Sequence, residues 1–228
     1  MSHLIDIFLQ PTKVFEDLRE RPAFALPLLL TLVLSAILPL WYFLVVDPSW
    51  YLQHMLLASG RDMGAADIEK AKAMMPGTHS MAWIGAASAA VVTIIMYCLY
   101  ALYFMLAGKI AGTAMTFKRG FSLVAWSGMP ALLGILVALV GVATMQPHTP
   151  IESLMLTNVD PLLVQLPPDS HWLGLARGFS LLNFWTWFLL ALGWRTFSRG
   201  AGWLQSFIVA LVPSVIIYGI IAAIALAK

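Results

Sequence analysis

The sequence predicts an all-α, polytopic membrane helix bundle, and three observations carry that prediction. The 228 residues are 61% hydrophobic and only 11% charged, whereas a soluble domain is roughly half apolar and a quarter charged. Mean hydropathy is +0.85. Five stretches, 23–46, 81–107, 120–145, 172–193 and 204–226, each reach the roughly 20 apolar residues that a bilayer requires of a spanning helix. Too little polar surface remains to cover a water-soluble globule. About five transmembrane helices are therefore expected, in one bundle over residues 23–228, preceded by a cytoplasmic amphipathic segment over residues 1–22.

In that first segment Leu4, Ile7 and Phe8, then Val14, Phe15 and Leu18, recur at helical spacing on either side of Pro11. Charges occupy the other faces. The pattern predicts a helix lying in the inner membrane interface, with Phe8, Phe15 and Leu18 on its apolar side and Lys13 and Arg19 at the anionic surface. A short helix packed on the bundle fits the same pattern.

The span over 23–46 is expected to be retained. It follows 22 residues that include Asp6, Glu16, Asp17 and Glu20, and at about 24 residues it exceeds the apolar region of a signal peptide. In the span over 81–107, Gly85, Ala86, Ala89 and Ala90 make a small-residue face for close helix packing. Pro39, Pro130 and Pro213 fall inside spans, where each removes a helix hydrogen bond and invites a kink. Such breaks line substrate paths in transporters, but prolines are common in membrane helices generally.

The two outer loops differ. Residues 47–80 include a predicted helix over 64–75, with Asp67/Lys70 and Glu69/Lys72 three apart. Residues 146–171 carry five prolines among Ile151, Leu154, Leu156, Leu162, Leu163 and Val164. That loop is too apolar to stand free in water and is expected to lie on the outer face or cap the bundle. The stretches RGFSLV at 119–124 and RGFSLL at 177–182 open consecutive spans from opposite sides, but the match stops within a few residues and reads as chance.

Basic residues set the orientation. With the N-terminus inside, Lys13, Arg19, Arg21, Lys109, Lys118, Arg119, Arg195 and Arg199 are inner, and Arg61, Lys70, Lys72 and Lys228 are outer. Basic side chains resist translocation, so eight against four favours a cytoplasmic N-terminus and an outer C-terminus.

The net charge of +2 offers no basic face for nucleic acid. The single Cys98 forbids an internal disulfide. No HExxH, CxxC, GxSxG, Walker or GxGxxG motif occurs, so no catalytic residue and no cofactor is assigned. No span holds a pair of carboxylates, the usual machinery of a proton-driven pump.

Arg177 is the one formal charge within an expected span. It is a candidate for an anionic headgroup or substrate, or for a partner among Asp160 and Asp169, the structural use weighing more. Ser180, Asn183 and Thr186 follow at one-turn spacing and form a candidate polar seam, or ordinary interhelical hydrogen bonds. His79, His148 and His171, with the methionines near them, make a copper-type ligand set by chemistry. They lack regular ligand spacing, however, and Met is also a filler of apolar gaps.

Three stretches share a pattern: FLQPTKVFEDLRERP before the first span, FKRGFSLVAWSGMPALLG entering the third, and FWTWFLLALGWRTFSRGAGWLQSFIVALVPSVI joining the last two. Together they resemble the Yip-domain family of Ypt/Rab-GTPase-interacting membrane proteins and their bacterial relatives. The resemblance implies five spans with a cytoplasmic N-terminus. Eukaryotic members are tied to GTPases through a cytoplasmic region carrying DLYGP, which is absent here, so the bacterial branch and the bacterial inner membrane are the closer match. The expected function is a non-enzymatic membrane scaffold or adaptor that binds partner proteins or shapes the bilayer. A small transporter or lipid-handling protein using the Arg177 seam is the alternative. The expected partners are membrane lipids and another membrane protein or a second copy of the chain.

Overall fold

The computed structural model describes residues 2–58, 69–70, 74, 76–167 and 169–227. The chain folds as α1 Ser2–Leu9, α2 Pro11–Glu20, α3 Ala25–Val45, α4 Pro48–Ala58, α5 Thr78–Ile110, α6 Phe117–Ser127 and α7 Met129–Thr144. A 3-10 turn at Ile151–Leu154 follows, then α8 Val159–Leu162, α9 Leu173–Gly178, α10 Leu182–Ser198 and α11 Trp203–Leu226. No strand occurs among the described residues; one isolated backbone bridge joins Asn158 to Ser180. The helix expected over 64–75 lies, apart from residues 69, 70 and 74, outside the described residues.

Among the described residues three helices, α3, α5 and α11, are long and apolar enough to cross a membrane. The pair α6–α7, bent by 40°, makes a fourth if it counts as one span. The break falls at Gly128, and Pro130 sits in the first turn of α7, where a missing N–H costs nothing. Pro130 therefore starts a helix instead of kinking one, whereas Pro39 and Pro213 do lie inside α3 and α11.

The expected span over 172–193 is not one helix. α9 stops at Gly178, and α10 begins at Leu182 and runs on past Arg195 to Ser198. The cause is competition for backbone hydrogen bonds. Val159 N donates to Phe179 O at 2.8 Å and Leu181 N donates to Thr157 O at 2.9 Å, so residues 179–181 pair with the outer loop and leave the helix. The 17 residues of α10 extend about 26 Å at 1.5 Å per residue, short of the roughly 30 Å hydrocarbon core.

Packing is closest where side chains are smallest. A Cβ on Gly85 would lie 3.0 Å from Pro39 Cβ, and one on Gly120 would lie 2.7 Å from the backbone oxygen of Ala101. The small-residue face of α5 thus receives α3, and α6 lies nearly backbone to backbone on the C-terminal half of α5. One core gathers Phe104, Leu123, Trp126, Leu189, Leu190 and Trp194. A second gathers Leu38, Tyr42, Val46, Ala138, Val142 and Leu154 beneath the outer loop. Large apolar side chains elsewhere on α3, α5 and α11 stay exposed, among them Leu29, Val91 and Ile220, as expected of helices whose solvent is lipid.

The N-terminal segment is a hairpin built into the first core. His3 Nε2 lies 3.1 Å from Asp17 Oδ2, tying α1 to α2. Ile7, Val14 and Phe15 are 0% exposed and Leu18 is 1% exposed. Phe15 and Leu18 pack against protein in the first core, as a short helix packed on the bundle, one of the two forms that fit the sequence pattern, requires. Gly193 makes room for Phe15, since a Cβ there would meet the Leu123 side chain and lie 2.9 Å from Phe15 Cε1. Phe8 reaches Trp185, with ring centroids 5.3 Å apart. Lys13 stays exposed and Arg19 is half-buried.

Candidate functional site

Polar groups collect in three places, and the seam expected along α10 is divided between two of them. At one end of the bundle, Arg177 sits in the last turn of α9. Its Nε donates to Asp160 Oδ2 at 3.1 Å and its Nη1 to Glu152 Oε1 at 2.8 Å. Asp160 is 7% exposed, so its charge needs this partner. Asn158 Nδ2 donates to the Arg177 carbonyl at 2.6 Å, and Ser180 Oγ donates to Thr157 O at 3.0 Å. Of the two acids proposed for Arg177, Asp160 is the one paired; Glu152 is an additional partner.

Glu152 extends the cluster to α4. His54 Nε2 lies 3.2 Å from Glu152 Oε1, and the Trp50 ring stacks on both His54 and His148, at 5.1 and 5.7 Å. Tyr42 OH donates to Thr149 O at 3.0 Å, while Asp47 N donates to Pro147 O at 2.8 Å. Burial first, and the Glu152 carboxylate second, hold the Tyr51 phenol above its ordinary pKa of 10.0. The apolar loop that follows α7 is thereby pinned as a cap on this end of the bundle. Among the described residues no three His, Cys, Asp or Glu side chains converge as ligands. His148 is occupied by its stack on Trp50, while His79 and His171 are exposed.

In the bundle interior, Asn183 and Thr186 line a cavity of about 290 Å³ between α5, α6, α10 and α11. Asn183 Nδ2 donates to Tyr218 OH at 2.7 Å, and Trp187 Nε1 donates to Ser214 Oγ at 2.8 Å. Tyr218 OH donates in turn to Gly178 O at 3.1 Å. Tyr97, on the same wall, lies with its OH 3.3 Å from Thr31 Oγ1. Thr186 Oγ1 is buried with no partner among the described residues. The cavity reaches the lower part of the expected seam but not Arg177, whose fork is already filled.

At the opposite end, α2, the α5–α6 turn and the α10–α11 turn bring Arg19, Arg119, Arg195 and Arg199 around two adjoining depressions. Sequence reasoning used these arginines to orient the chain but had no means of seeing that they converge. It also missed Trp187, Ser214 and Tyr218 as cavity groups. The spacing of Ser214 and Tyr218, four apart on one face of α11, is the signal that was available.

The apolar helices, one capped end and the arginine-rich opposite end define a helical integral membrane protein. Over residues 5–224 the chain matches the family model described as the Yip1 domain. It belongs to that family, as the three shared stretches implied. No curated protein and no solved structure matches it.

Proposed function

We propose that the chain is a non-enzymatic membrane scaffold or adaptor, crossing the membrane five times with its N-terminus in the cytoplasm and its C-terminus outside. The observation that carries this reading is the double carboxylate pairing of Arg177. The one charge within an expected span is paired by the protein's own loop, and that loop is fastened over the outer end by hydrogen bonds from α3, α4 and α9. A transported solute needs an entry there. Five crossings are supported by α10, which runs from the outer cap at Ser180 to the arginine end at Arg199 and brings the chain back for α11. The missing DLYGP motif favours the bacterial branch of the family and the bacterial inner membrane.

A second reading, lipid handling, rests on the cavity at Asn183. Its polar rim in an otherwise apolar wall suits one small amphiphile. Capture of the tagged chain in mild detergent, with both proteins and lipids identified, tests the two. A stoichiometric protein partner or a second copy, unaffected by Asn183→Leu, supports the scaffold. A single co-purifying lipid species that is lost in Asn183→Leu replaces it with lipid handling.

A further inference from the structure

We propose that the arginine cradle formed by α2 and the α10–α11 turn binds the phosphate of an anionic membrane lipid, whose acyl chains lie along the first turns of α11. The site is independent of whether the chain acts as a scaffold or as a lipid carrier.

Charge is the first argument. Arg19, Arg195 and Arg199 line a depression of about 540 Å³, and Arg19, Arg119 and Arg199 line a neighbouring one of about 340 Å³. One carboxylate, Glu16, lines the larger depression, and among the described residues it pairs with none of these arginines. Four guanidinium groups in one place repel each other, and an anion relieves that repulsion. A phosphate matches their planar forks.

Unmet hydrogen bonds are the second argument. Arg19 Nη1 donates to Thr196 O at 3.3 Å, and Arg119 Nη1 donates to Ala114 O at 2.6 Å. Arg195 stacks over Trp203, with its Cζ 4.7 Å from the ring centroid. Arg199 has no hydrogen bond or ion pair among the described residues, although its backbone is held at φ 40°, ψ 80°. Arg19 Nε and Ser198 Oγ are buried with no acceptor. Arg19 lines both depressions and Ser198 lines the smaller one. The N-terminus of α11 opens on the same space at Gly202, with no side-chain cap, so its free N–H groups and dipole add to the field.

Position selects the lipid over a soluble phosphate. Trp203, on the rim, is the type of residue that sits at headgroup level. Beyond it Leu204 is 77% exposed and Ile208 54% exposed, an apolar strip continuous with the charged cradle. A headgroup phosphate in the cradle would have this exposed strip beside it for its acyl chains.

Native mass spectrometry of the full chain from a neutral detergent, titrated with dioleoyl phosphatidylglycerol, tests this directly. Dioleoyl phosphatidylcholine and inorganic phosphate serve as comparison probes. One tight phosphatidylglycerol adduct is expected, weakened about tenfold in Arg195→Gln/Arg199→Gln, both of which are exposed positions. Lys109→Gln/Lys118→Gln removes as much charge from the same end of the bundle outside the cradle and should leave the adduct unchanged. Arg199→Lys, which keeps the charge and the fold but loses the fork, should fall between. Equal weakening by the lysine pair shows a diffuse surface attraction and overturns the site, as does unchanged binding in the arginine pair. Competition by millimolar inorganic phosphate as strong as that by the lipid overturns the lipid as occupant. If the double variant does not fold, Arg199→Lys decides between these outcomes alone.

Discussion

Arg177 shows how a single residue can be placed by sequence while its role is decided by structure. A guanidinium within an apolar stretch needs a partner, and composition alone offered Asp160 and Asp169. The structure supplies Asp160 and Glu152, the latter 25 residues away and on a different turn. With Arg177, Glu152 and Asp160 side chains 29%, 26% and 9% exposed, the pairing is partly buried. Removing one side should cost about 2–3 kcal/mol, less than a fully buried pair. Arg177→Ala is therefore expected to lower the thermal midpoint in detergent, and Arg177→Ala/Asp160→Asn to recover part of the loss. Additive losses in the double variant would show that the two residues do not act on each other. The need for a partner was legible in the sequence because it follows from dielectric alone. Its identity was not, because a loop with five prolines has no periodicity from which to read a contact.

At the scale of elements, three of the expected spans appear as helices close to their predicted limits, because about 20 apolar residues in lipid have no alternative to intrahelical hydrogen bonds. The departures occur where the backbone finds other partners. Residues 179–181 bond to the outer loop, and the third span breaks at Gly128. The N-terminal pair α1–α2 was legible as amphipathic, but amphipathicity cannot say whether the apolar face meets lipid or protein. Gly193 decides it, since its missing side chain admits Phe15. Gly193→Ala is expected to destabilise the docked hairpin by about 1–3 kcal/mol through overpacking. Gly193→Leu should release it, read as faster proteolysis at Lys13 and Arg19 while the rest of the bundle stays intact. Protection equal to that of the unaltered chain in Gly193→Leu would mean that the hairpin does not depend on this contact. Asn183→Leu, in the cavity, removes the hydrogen bond to Tyr218 but not the packing of α10, so a fall in thermal midpoint of only a few degrees is expected, from about 1 kcal/mol. A collapse of folding would instead make Asn183 part of the structural core.

For the whole molecule, the arginines at one end and the pinned loops at the other give the bundle two chemically distinct faces. That asymmetry was visible as the eight-to-four bias of basic residues, whereas the grouping of four of them into one cradle depends on three turns meeting and could not be read in advance. In the proposed five-crossing arrangement α10 crosses despite its 17 residues, and both crossings that flank the 199–202 turn end on the arginine side. The most direct measurement is thiol accessibility in intact cells, with single cysteines at Lys13, Lys109, Gln165, Gln205 and Ala227 in a Cys98→Ser background. All five positions are exposed. Gln165 and Ala227 should react with an impermeant reagent, while Lys13, Lys109 and Gln205 should react only after permeabilisation. Labelling of Gln205 from outside, or protection of Ala227, would contradict five crossings.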